Sequence, residues 1–353
     1  MSTPVLTAVL VTGGSGFIAS YVILALLSQG YIVRTTVRSL SREASIRDTL
    51  TNGGATASDL SRLSFIAASL DHERGWAEAV KGCKYVQHIA SPNPAELPKH
   101  EDDIIIPARD GTLHVLRAAA AAGVKRVVLT SSSGAIIYGH PPSEEPFTED
   151  SWTVLDSKVE VTPYMKSKTI AERAAWDFIN SNANHTKMEL AVVCPFLVVG
   201  PVLGKDIATS VLVIKKLMDG SMPGCPNLNF SIVDVRDVAS LHVLAMTKFE
   251  AAGQRFLASP GDQDNVVSML QIGQMIKANR PDNAKNVPGI QIPNFVVRGI
   301  SFFDKPVRLI LPDLGKVRHC SNRRARESLG WRPRETLVSV LDTVDSLAKY
   351  KLI

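Results

Sequence analysis

The sequence lacks closely spaced cysteines and histidines. Its four cysteines are scattered over 353 residues, so no two of them have the spacing of a zinc or redox motif. Its eight histidines form no HxxxH or HExxH pair. We therefore expect reduced thiols in a cytoplasmic protein, and no metal site.

A long hydrophobic run is missing as well. The longest strongly apolar segment, FIASYVILALL, is much shorter than the roughly 20 residues that a helix needs to span a bilayer. The first residues, MSTPVLTAVLVTGG, have no basic region before their apolar run, which is not the pattern of a secretory signal. We expect a protein without a membrane partner.

Charge of one sign is only in modest excess. The net charge is +5, and basic residues gather near the C-terminal end in KVRHCSNRRARESLGWRPRE. No aromatic interleaving or nucleic-acid reader motif accompanies them, so we expect a solvated surface segment and no nucleic-acid partner. A nucleic-acid patch at this segment is the less favoured alternative.

The N-terminal part of the chain alternates β-rich runs with helical segments. Strands that are apolar throughout and separated by helices indicate a parallel sheet that is covered on both faces. We therefore predict an α/β fold with a doubly wound parallel sheet of the Rossmann type. The predicted strands are VLTAVLV, YIVRTTV, SFIAA, KYVQHIA, KRVVLTSS and MELAVVC.

After Pro195, frequent prolines break the pattern into short pieces. The strand FSIVDV and the helix RDVASLHVLAM look regular again and are expected to rejoin the main sheet. The remainder is expected to form a smaller C-terminal substrate lobe over the strand ends, where open α/β sheets bind ligands. The predicted division is a Rossmann domain of residues 1–195 and 230–258, and a lobe of residues 196–229 and 259–353.

The segment VLTAVLVTGGSGFIAS has the pattern of a strand, a glycine turn and a helix start. Gly13 permits a tight turn, and Gly16 lets a pyrophosphate approach the backbone, where the amides of the new helix face it. Ala19 stands at the third position of the pattern, which serves helix–strand packing and tolerates a methyl group. The turn predicts dinucleotide binding, and a strand–helix turn without a ligand is the alternative.

The end of the second predicted strand, YIVRTTVRS, bears on the choice of cofactor. An NAD site usually has an acidic residue here that holds the ribose hydroxyls. This chain has Val37, Arg38 and Ser39 instead, and a guanidinium suits the 2′-phosphate of NADP. We therefore predict NADPH/NADP+ as the cofactor, with Arg42 as a candidate second contact.

The segment PYMKSK contains Tyr164 and Lys168, whose offset of four puts them on one helix face. Pro163 suits a helix start, and the helix follows KRVVLTSSSG, a strand that ends in hydroxyls. A nearby ammonium favours the ionised form of a tyrosine, whose pKa is ordinarily about 10. Tyr164 can then exchange a proton with an alcohol or carbonyl oxygen, which the serines can also hold. A solvent-facing pair is the alternative interpretation.

The chain resembles the extended short-chain dehydrogenase/reductases, in particular the dihydroflavonol reductase-like branch of NADPH-dependent aldehyde and ketone reductases. The resemblance runs nearly the whole length and rests on VTGGSGFIAS, TTVRS, GWAEAVKGCKYVQHIASP, GVKRVVLTSSSGA, YMKSK, PFLVVGP, DVRDVA and RARESLGWRPRE. It implies an NADPH-dependent carbonyl reductase that transfers a hydride to an aldehyde or ketone and gives the alcohol.

The resemblance also implies a set of site residues. Tyr164 matches the catalytic acid and Lys168 the lysine that also binds the nicotinamide ribose. Ser132 matches the catalytic serine, with Ser133 as the rival candidate. The implied cofactor-binding residues are Gly13, Ser15, Gly16, Phe17, Ile18, Arg38, Leu70, Ile89, Ala90, Ser91, Tyr164, Lys168, Pro195, Val198 and Ser210.

Two positions depart from the family pattern. Many relatives have Asp-Leu where this chain has Ser69-Leu70, which puts an aspartate contact to adenine in doubt. The asparagine of the proton relay in single-domain relatives has no clear match in IIIPARDGT. A signature of plant cinnamoyl-CoA reductases is missing too, which makes a CoA thioester a less favoured substrate.

The candidate pocket segments are SPNPAEL, GAIIYG, Phe196 and GSMPGCPNLNF. They are largely apolar and favour a small-molecule carbonyl substrate with apolar or aromatic substituents. Cys225 is either a pocket residue or, as the more favoured reading, a structural thiol. A homodimer is common for this fold, but no stretch of the sequence requires one.

Two other functions remain as alternatives. One is a sugar-nucleotide epimerase or dehydratase with tightly bound NAD, against which Arg38 argues. The other is a non-catalytic regulator that senses NADP, against which the Tyr164–Lys168 pair argues.

Overall fold

A seven-stranded parallel sheet forms the centre of the protein. The computed structural model describes residues 7–92, 99–141, 145–157, 161–261 and 266–353. The described strands are β1 (Ala8–Val11), β2 (Ile32–Val37), β3 (Leu63–Ala67), β4 (Tyr85–His88), β5 (Arg126–Thr130), β6 (Glu189–Pro195), β7 (Leu197–Val199), β8 (Cys225–Pro226), β9 (Asn229–Asp234), β10 (Arg255–Ala258), β11 (Val266–Ser268) and β12 (Gln291–Ile292). The central sheet has the order β10-β6-β5-β4-β1-β2-β3, and each neighbouring pair is parallel.

Helices cover both faces of this sheet. The described α-helices are α1 (Phe17–Ser28), α2 (Glu43–Asn52), α3 (Ala57–Leu60), α4 (Trp76–Val80), α5 (Asp102–Ala121), α6 (Pro163–Asn180), α7 (Leu212–Met218), α8 (Val235–Thr247), α9 (Met269–Asn279), α10 (Asn294–Ile300), α11 (Lys305–Leu309), α12 (Arg323–Leu329) and α13 (Thr336–Lys349). One apolar core joins α1 and α8 to the sheet, and a second joins α4, α5 and α6 to it. The strands β4 and β5 are buried along their whole length, as strands between two helical layers must be. The predicted doubly wound α/β fold is confirmed.

Side chains in the sequence set the start of several helices. Thr162 caps α6 with its hydroxyl, and Pro163 takes the first helical position, where its missing N–H costs nothing. The Asp234 carboxylate caps α8 by accepting a hydrogen bond from the Arg236 N–H. These caps fix where α6 and α8 begin relative to the strands before them.

The C-terminal part adds two small sheets. The strands β11, β9 and β7 form one of them in that order, and β8 pairs with β12 in the other. A third apolar core lies among α7, α9 and α13.

The strand FSIVDV differs from its expectation. As β9 it lies beside β7 in the three-stranded sheet and not in the main sheet, because β10 takes the edge next to β6. The helix that follows, α8, does pack on the main sheet. The division into a Rossmann domain and a lobe at the stated bounds stays a prediction.

The four cysteines are buried free thiols. Burial raises the pKa of each thiol, which makes it a poor nucleophile. Within the described ranges, no group of three His, Cys, Asp or Glu side chains is placed to hold a metal ion. None of the helices in those ranges is long and apolar enough to cross a membrane.

Candidate active site

The carboxyl ends of β1, β4 and β5 lie side by side at one edge of the sheet. Strand order reverses at β1, which has β2 on one side and β4 on the other, and open α/β sheets bind ligands outside such a point. Predicted site residues stand one or two residues after β1, β2, β4 and β5: Gly13 after β1, Arg38 after β2, Ile89 after β4 and Ser132 after β5. The fold therefore gathers most of the predicted site at this edge.

The glycine turn between β1 and α1 is shaped by backbone constraints. Gly13 has a φ of +72°, a left-handed conformation that side chains disfavour. A β-carbon on Gly13 would lie 3.0 Å from the Ala90 Cβ, so glycine also allows the segment after β4 to come close. The remaining predicted residues of the turn and the helix start are Ser15, Gly16, Phe17 and Ile18.

The first turn of α1 offers free N–H groups. No side chain caps this helix, and no acidic residue stands in its first turn. Free donors at a helix start attract an anionic group such as a pyrophosphate. Together with the exposed residues Ser15 and Gly16 of the turn, they fit the phosphates of a dinucleotide.

Arg38 stands exposed directly after β2. Its guanidinium makes no hydrogen bond or ion pair with another described residue. Arg42 is instead paired with Asp206 at 2.6 Å, so a phosphate would have to compete with that carboxylate. Arg38 is therefore the better placed of the two arginines for a 2′-phosphate.

A buried threonine ties the glycine turn to the segment after β4. The Thr12 hydroxyl oxygen accepts hydrogen bonds from the N–H groups of Ile89 at 3.0 Å and Ala90 at 2.9 Å. It also lies 3.0 Å from Nδ1 of His88. Ser91 follows, and residues 93–97 of the candidate pocket segment SPNPAEL lie outside the described residues. Sequence reasoning missed Thr12 and His88, although each directly precedes a predicted site residue.

The segment after β3 holds a carboxylate close to the position where relatives have one. The Ser69 hydroxyl donates to the Asp71 carboxylate at 2.8 Å. The Leu70 carbonyl oxygen is 3.1 Å from Nδ1 of His114 on α5. An aspartate is thus present here, displaced by two residues from the family position.

Tyr164 and Lys168 lie one turn apart at the start of α6. Tyr164 is 42% exposed and Lys168 is 8% exposed, so the phenol is accessible and the ammonium is buried. Lys168 Nζ is 3.5 Å from the carbonyl oxygen of Thr130, the last residue of β5. Helix α6 therefore brings an accessible acid and a buried cation to the end of β5.

Ser132 lies close to Tyr164, with Gly134 between them. A β-carbon on Gly134 would lie 3.3 Å from Ser132 Oγ and 3.7 Å from Tyr164 Cε1. Ser132 Oγ accepts a hydrogen bond of 3.0 Å from the Gly134 N–H, which orients the hydroxyl. The Ser133 hydroxyl has no hydrogen-bond partner among the described residues. This geometry favours Ser132 over Ser133 as the serine beside the tyrosine.

A buried ion pair ties α6 to β10, and a hydrogen bond to the same carboxylate ties α6 to the end of β5. Glu172, one turn after Lys168, is 1% exposed and pairs with Arg255 at 2.6 Å. The Glu172 carboxylate also accepts a hydrogen bond of 2.5 Å from the hydroxyl of Ser131. Since Ser131 precedes Ser132, this contact fixes the serine relative to the helix. Sequence reasoning missed Glu172, whose one signal was its offset of four from Lys168.

The aromatic side chain of Tyr138, in the candidate pocket segment GAIIYG, interacts electrostatically with Tyr164. Burial raises the pKa of the Tyr138 phenol well above its ordinary value, and the negative charge of Asp313 and, to a smaller extent, the nearby Tyr164 raise it further. The Arg318 guanidinium stacks 4.4 Å from the Tyr138 ring centroid and donates to Asp313 at 2.6 Å. The Tyr138 ring is thus held by Arg318 in the neighbourhood of Tyr164.

The other predicted residues lie farther along the chain. Pro195 ends β6 and Val198 lies in β7, and both are buried, whereas Ser210 is half-buried before α7. Cys225 is fully buried in the apolar core of α7, α9 and α13, which agrees with a structural thiol.

The matches to known proteins extend over both the main sheet and the C-terminal part of this chain. The sequence profile of the NAD dependent epimerase/dehydratase family matches residues 9–258. Cinnamoyl-CoA reductase CAD2 of Medicago truncatula is 32% identical over 347 residues, which cover 97% of this chain and 96% of that protein. Ketoreductase azaE of Aspergillus niger is 33% identical over 351 residues, which cover 96% of this chain and 97% of that protein.

A solved structure shares the whole architecture. It is yeast methylglyoxal/isovaleraldehyde reductase Gre2 complexed with NADPH, with a TM-score of 0.79 and 26% sequence identity. The match covers 98% of this chain and 99% of that one, so the C-terminal part is included.

Proposed function

This chain belongs to the NAD dependent epimerase/dehydratase family, as an extended short-chain dehydrogenase/reductase, and we propose that it is an NADPH-dependent carbonyl reductase. It transfers a hydride to an aldehyde or ketone and releases the alcohol. The observation that carries the proposal is the position of Tyr164, exposed at the start of α6, near the hydroxyl of Ser132 and one turn before the buried Lys168. Protonation of a carbonyl oxygen needs such an acid and a second donor beside it.

The choice of NADPH is supported by the end of β2. Arg38 is an exposed guanidinium without a partner among the described residues, at the place where an NAD site has a carboxylate. The solved Gre2 structure is of a reductase complexed with NADPH. The glycine turn, the free N–H groups of α1 and Arg38 would hold the phosphates, and NADPH, when bound, supplies the hydride.

Three side chains carry the chemistry in this proposal. The hydroxyls of Ser132 and Tyr164 donate hydrogen bonds to the carbonyl oxygen and orient the substrate. As negative charge grows on that oxygen, Tyr164 gives it the phenolic proton. The Lys168 ammonium stabilises the phenolate that remains, because a buried cation acts at short range with little screening.

The proposed substrate is an aldehyde or ketone with apolar or aromatic substituents. Tyr138 supports this class, since its aromatic ring, stacked against Arg318, lies in the neighbourhood of Tyr164. The similar proteins include a ketoreductase, an aldehyde reductase and a cinnamoyl-CoA reductase, each of which acts on a carbonyl. Because one of these similar proteins is a cinnamoyl-CoA reductase, a panel of test substrates must include a CoA thioester.

The test is consumption of NADPH and NADH by the purified protein with aryl ketones, aliphatic aldehydes, keto esters and a cinnamoyl thioester. We expect turnover with NADPH and a loss of about 10²–10⁴-fold in kcat for Tyr164→Phe, because the phenylalanine has no proton to give. NADPH binding, followed by its fluorescence, should be retained in that variant. Turnover that survives in Tyr164→Phe would defeat the proposal.

Compartment and assembly belong to the same proposal. The buried free thiols support a reducing cytoplasm, and the fold supports a homodimer by analogy with its family. Cell fractionation and the mass in solution would test these two points separately from catalysis.

A further inference from the structure

The hydrogen bonds of His88, at the end of β4, fix where its proton lies. The Thr12 hydroxyl oxygen accepts the N–H groups of Ile89 and Ala90, which use both of its lone pairs. Its one proton is left for Nδ1 of His88, 3.0 Å away. Nδ1 is therefore an acceptor, and the neutral imidazole carries its proton on Nε2.

This Nε2–H group has no partner among the described residues. His88 is 1% exposed, and its Nε2 atom is buried without a hydrogen bond there. Burial and the positive charge of Lys168 lower the pKa of His88 to about 3, so the ring stays neutral at ordinary pH. Native proteins rarely leave a buried donor unpaired, which points to an acceptor outside the described residues, such as a bound water molecule.

The free donor faces the helix that carries the catalytic candidates. His88 pairs with Leu129 in the register of β4 and β5, and Leu129 packs in the core on the α5 and α6 side. Paired residues of neighbouring strands point to the same face, so the imidazole lies on that side as well. Lys168 reaches the same strand ends from α6, where its Nζ lies near the Thr130 carbonyl oxygen. An oxygen placed between the ammonium and Nε2–H would accept from both.

The second buried histidine, His242 on α8, has no unpaired ring nitrogen. Its Nδ1 donates to Oε1 of Gln87 at 2.8 Å, and its Nε2 accepts from the Thr130 hydroxyl at 3.1 Å. Both ring nitrogens are satisfied within the chain. Of these two histidines, His88 alone leaves a ring N–H unpaired among the described residues, on the face of the sheet that carries Tyr164 and Lys168.

We propose that Nε2–H of His88 and the Lys168 ammonium together bind a water molecule, and that His88 is thereby a positioning residue for the proton supply to Tyr164. This inference rests on the proposed reductase function. In each reduction the phenolic O–H bond of Tyr164 breaks and an O–H bond forms on the product. Lys168 returns a proton to the phenolate, the water restores the ammonium, and the resulting hydroxide takes a proton from solvent. His88 gains and loses no proton and holds the water oxygen in place.

Two variants separate the ring nitrogens. In His88→Asn the amide oxygen takes the place of Nδ1 and still accepts the Thr12 proton, but no donor replaces Nε2–H. In His88→Gln the longer amide restores a donor there. For His88→Asn we expect kcat to fall about tenfold or more, because proton supply becomes limiting. The solvent deuterium isotope effect on kcat should rise, the effect of deuterated NADPH should fall, and His88→Gln should recover part of the loss.

The controls separate positioning from simple damage. His242→Gln removes the other buried histidine and should lower thermal stability without raising the solvent isotope effect. Equal losses in His88→Asn and His88→Gln would overturn the proposal, as would an unchanged isotope effect in His88→Asn. A raised isotope effect in His242→Gln would also count against it.

A measurement without turnover keeps this test apart from that of the reductase activity. In the ¹⁵N spectrum of protein labelled at histidine, the His88 signal is the one that is lost in His88→Asn. We expect this signal to show a proton on Nε2 that exchanges with water. A proton on Nδ1 would defeat this inference alone, whereas turnover in Tyr164→Phe would defeat the proposed function whatever the spectrum. Addition of NADP+ identifies the acceptor. Continued exchange of the Nε2 proton with water supports the proposed water molecule. Arrested exchange together with a shifted His88 signal means that a cofactor hydroxyl is the acceptor, and overturns the proposal.

Discussion

The two ends of the candidate site differ in whether backbone groups or side chains form them. At the cofactor end, the glycine turn and the free N–H groups of α1 are backbone features, and Arg38 is the charged side chain that stands exposed beside them. At the chemical end, the functional groups are side chains, and other side chains hold them in position. Glu172 ties α6 to β10 through Arg255 and to the end of β5 through Ser131, and Lys168 is buried against Thr130.

The difference shows which changes each end can tolerate. A backbone site is harmed when atoms are added, because a β-carbon occupies the space that the phosphates or a neighbouring segment need. A side-chain site is harmed when atoms are removed, because a buried group loses its partner. Substitutions should therefore affect nucleotide affinity at one end and turnover at the other.

Lys168→Met should give the largest effect of the variants that follow. It keeps the aliphatic stem but removes the cation that stabilises the Tyr164 phenolate, so we expect kcat to fall about 10²-fold or more. Lys166→Met is the matched control, since Lys166 lies on the same helix in a partly exposed ion pair with Glu101. Such pairs contribute at most about 1 kcal/mol, so kcat should be nearly unchanged there. Similar losses in both variants would contradict a special role for Lys168.

Arg38→Ser tests the charged side chain at the cofactor end. A charge-assisted hydrogen bond contributes about 1.5–3 kcal/mol, so the Kd for NADPH should rise about 10–100-fold while the Kd for NADH stays the same. Titration of both cofactors by fluorescence measures the two constants. Arg42→Ser is the control and should change the NADPH constant much less, because Asp206 already engages Arg42. Equal weakening of NADPH and NADH by Arg38→Ser would show that Arg38 does not contact the 2′-phosphate.

The cofactor end was the more predictable from sequence. Glycine spacing after an apolar strand and the arginine after β2 are local signals, and the family and the doubly wound sheet are confirmed by the profile match and the strand order. The assigned roles of the individual site residues stay predictions.

The chemical end was predictable only in part, since its support comes from distant residues. The pair Tyr164 and Lys168 is a local pattern, but Arg255 meets Glu172 across 83 residues of sequence. The bond between Thr12 and His88 spans 76 residues, and no local pattern indicates it. The prediction that the strand FSIVDV joins the main sheet was wrong for a related reason. Which sheet a strand joins depends on the strands that pair with it, and the sequence of the strand itself does not show this.

Gly13→Ala tests the backbone at the cofactor end. A left-handed conformation costs an alanine about 1–2 kcal/mol, and the new β-carbon would also press on Ala90 at 3.0 Å. We expect binding of NADPH and NADH to weaken together, about tenfold each. Gly30→Ala is the matched control, because Gly30 has a φ of +84° but open space around it. It should lower stability and leave the affinity for both nucleotides intact, and a loss of affinity there would weaken the comparison.

The smallest effect is a pH dependence of stability that arises beside the chemical end. Burial lowers the pKa of His242 to about 3, whereas the unfolded chain has an ordinary value of about 6.5. Between these values the unfolded state binds one more proton at this position, so its contribution to stability is complete above pH 6.5 and is lost as the pH falls. Full titration corresponds to a slope of about 1.4 kcal/mol per pH unit for each such histidine.

The variant His242→Gln isolates this contribution. It loses the titrating ring, so its free energy of unfolding, measured with urea between pH 7 and pH 5, should fall less steeply than that of the parent protein. His88 remains in the variant and keeps its own share of the slope, because its pKa is lowered in the same way. Its presence makes the difference between the two slopes a measure of His242 alone. Parallel slopes would mean that His242 is protonated in the folded protein, at the expense of the hydrogen bond that its Nε2 accepts from Thr130.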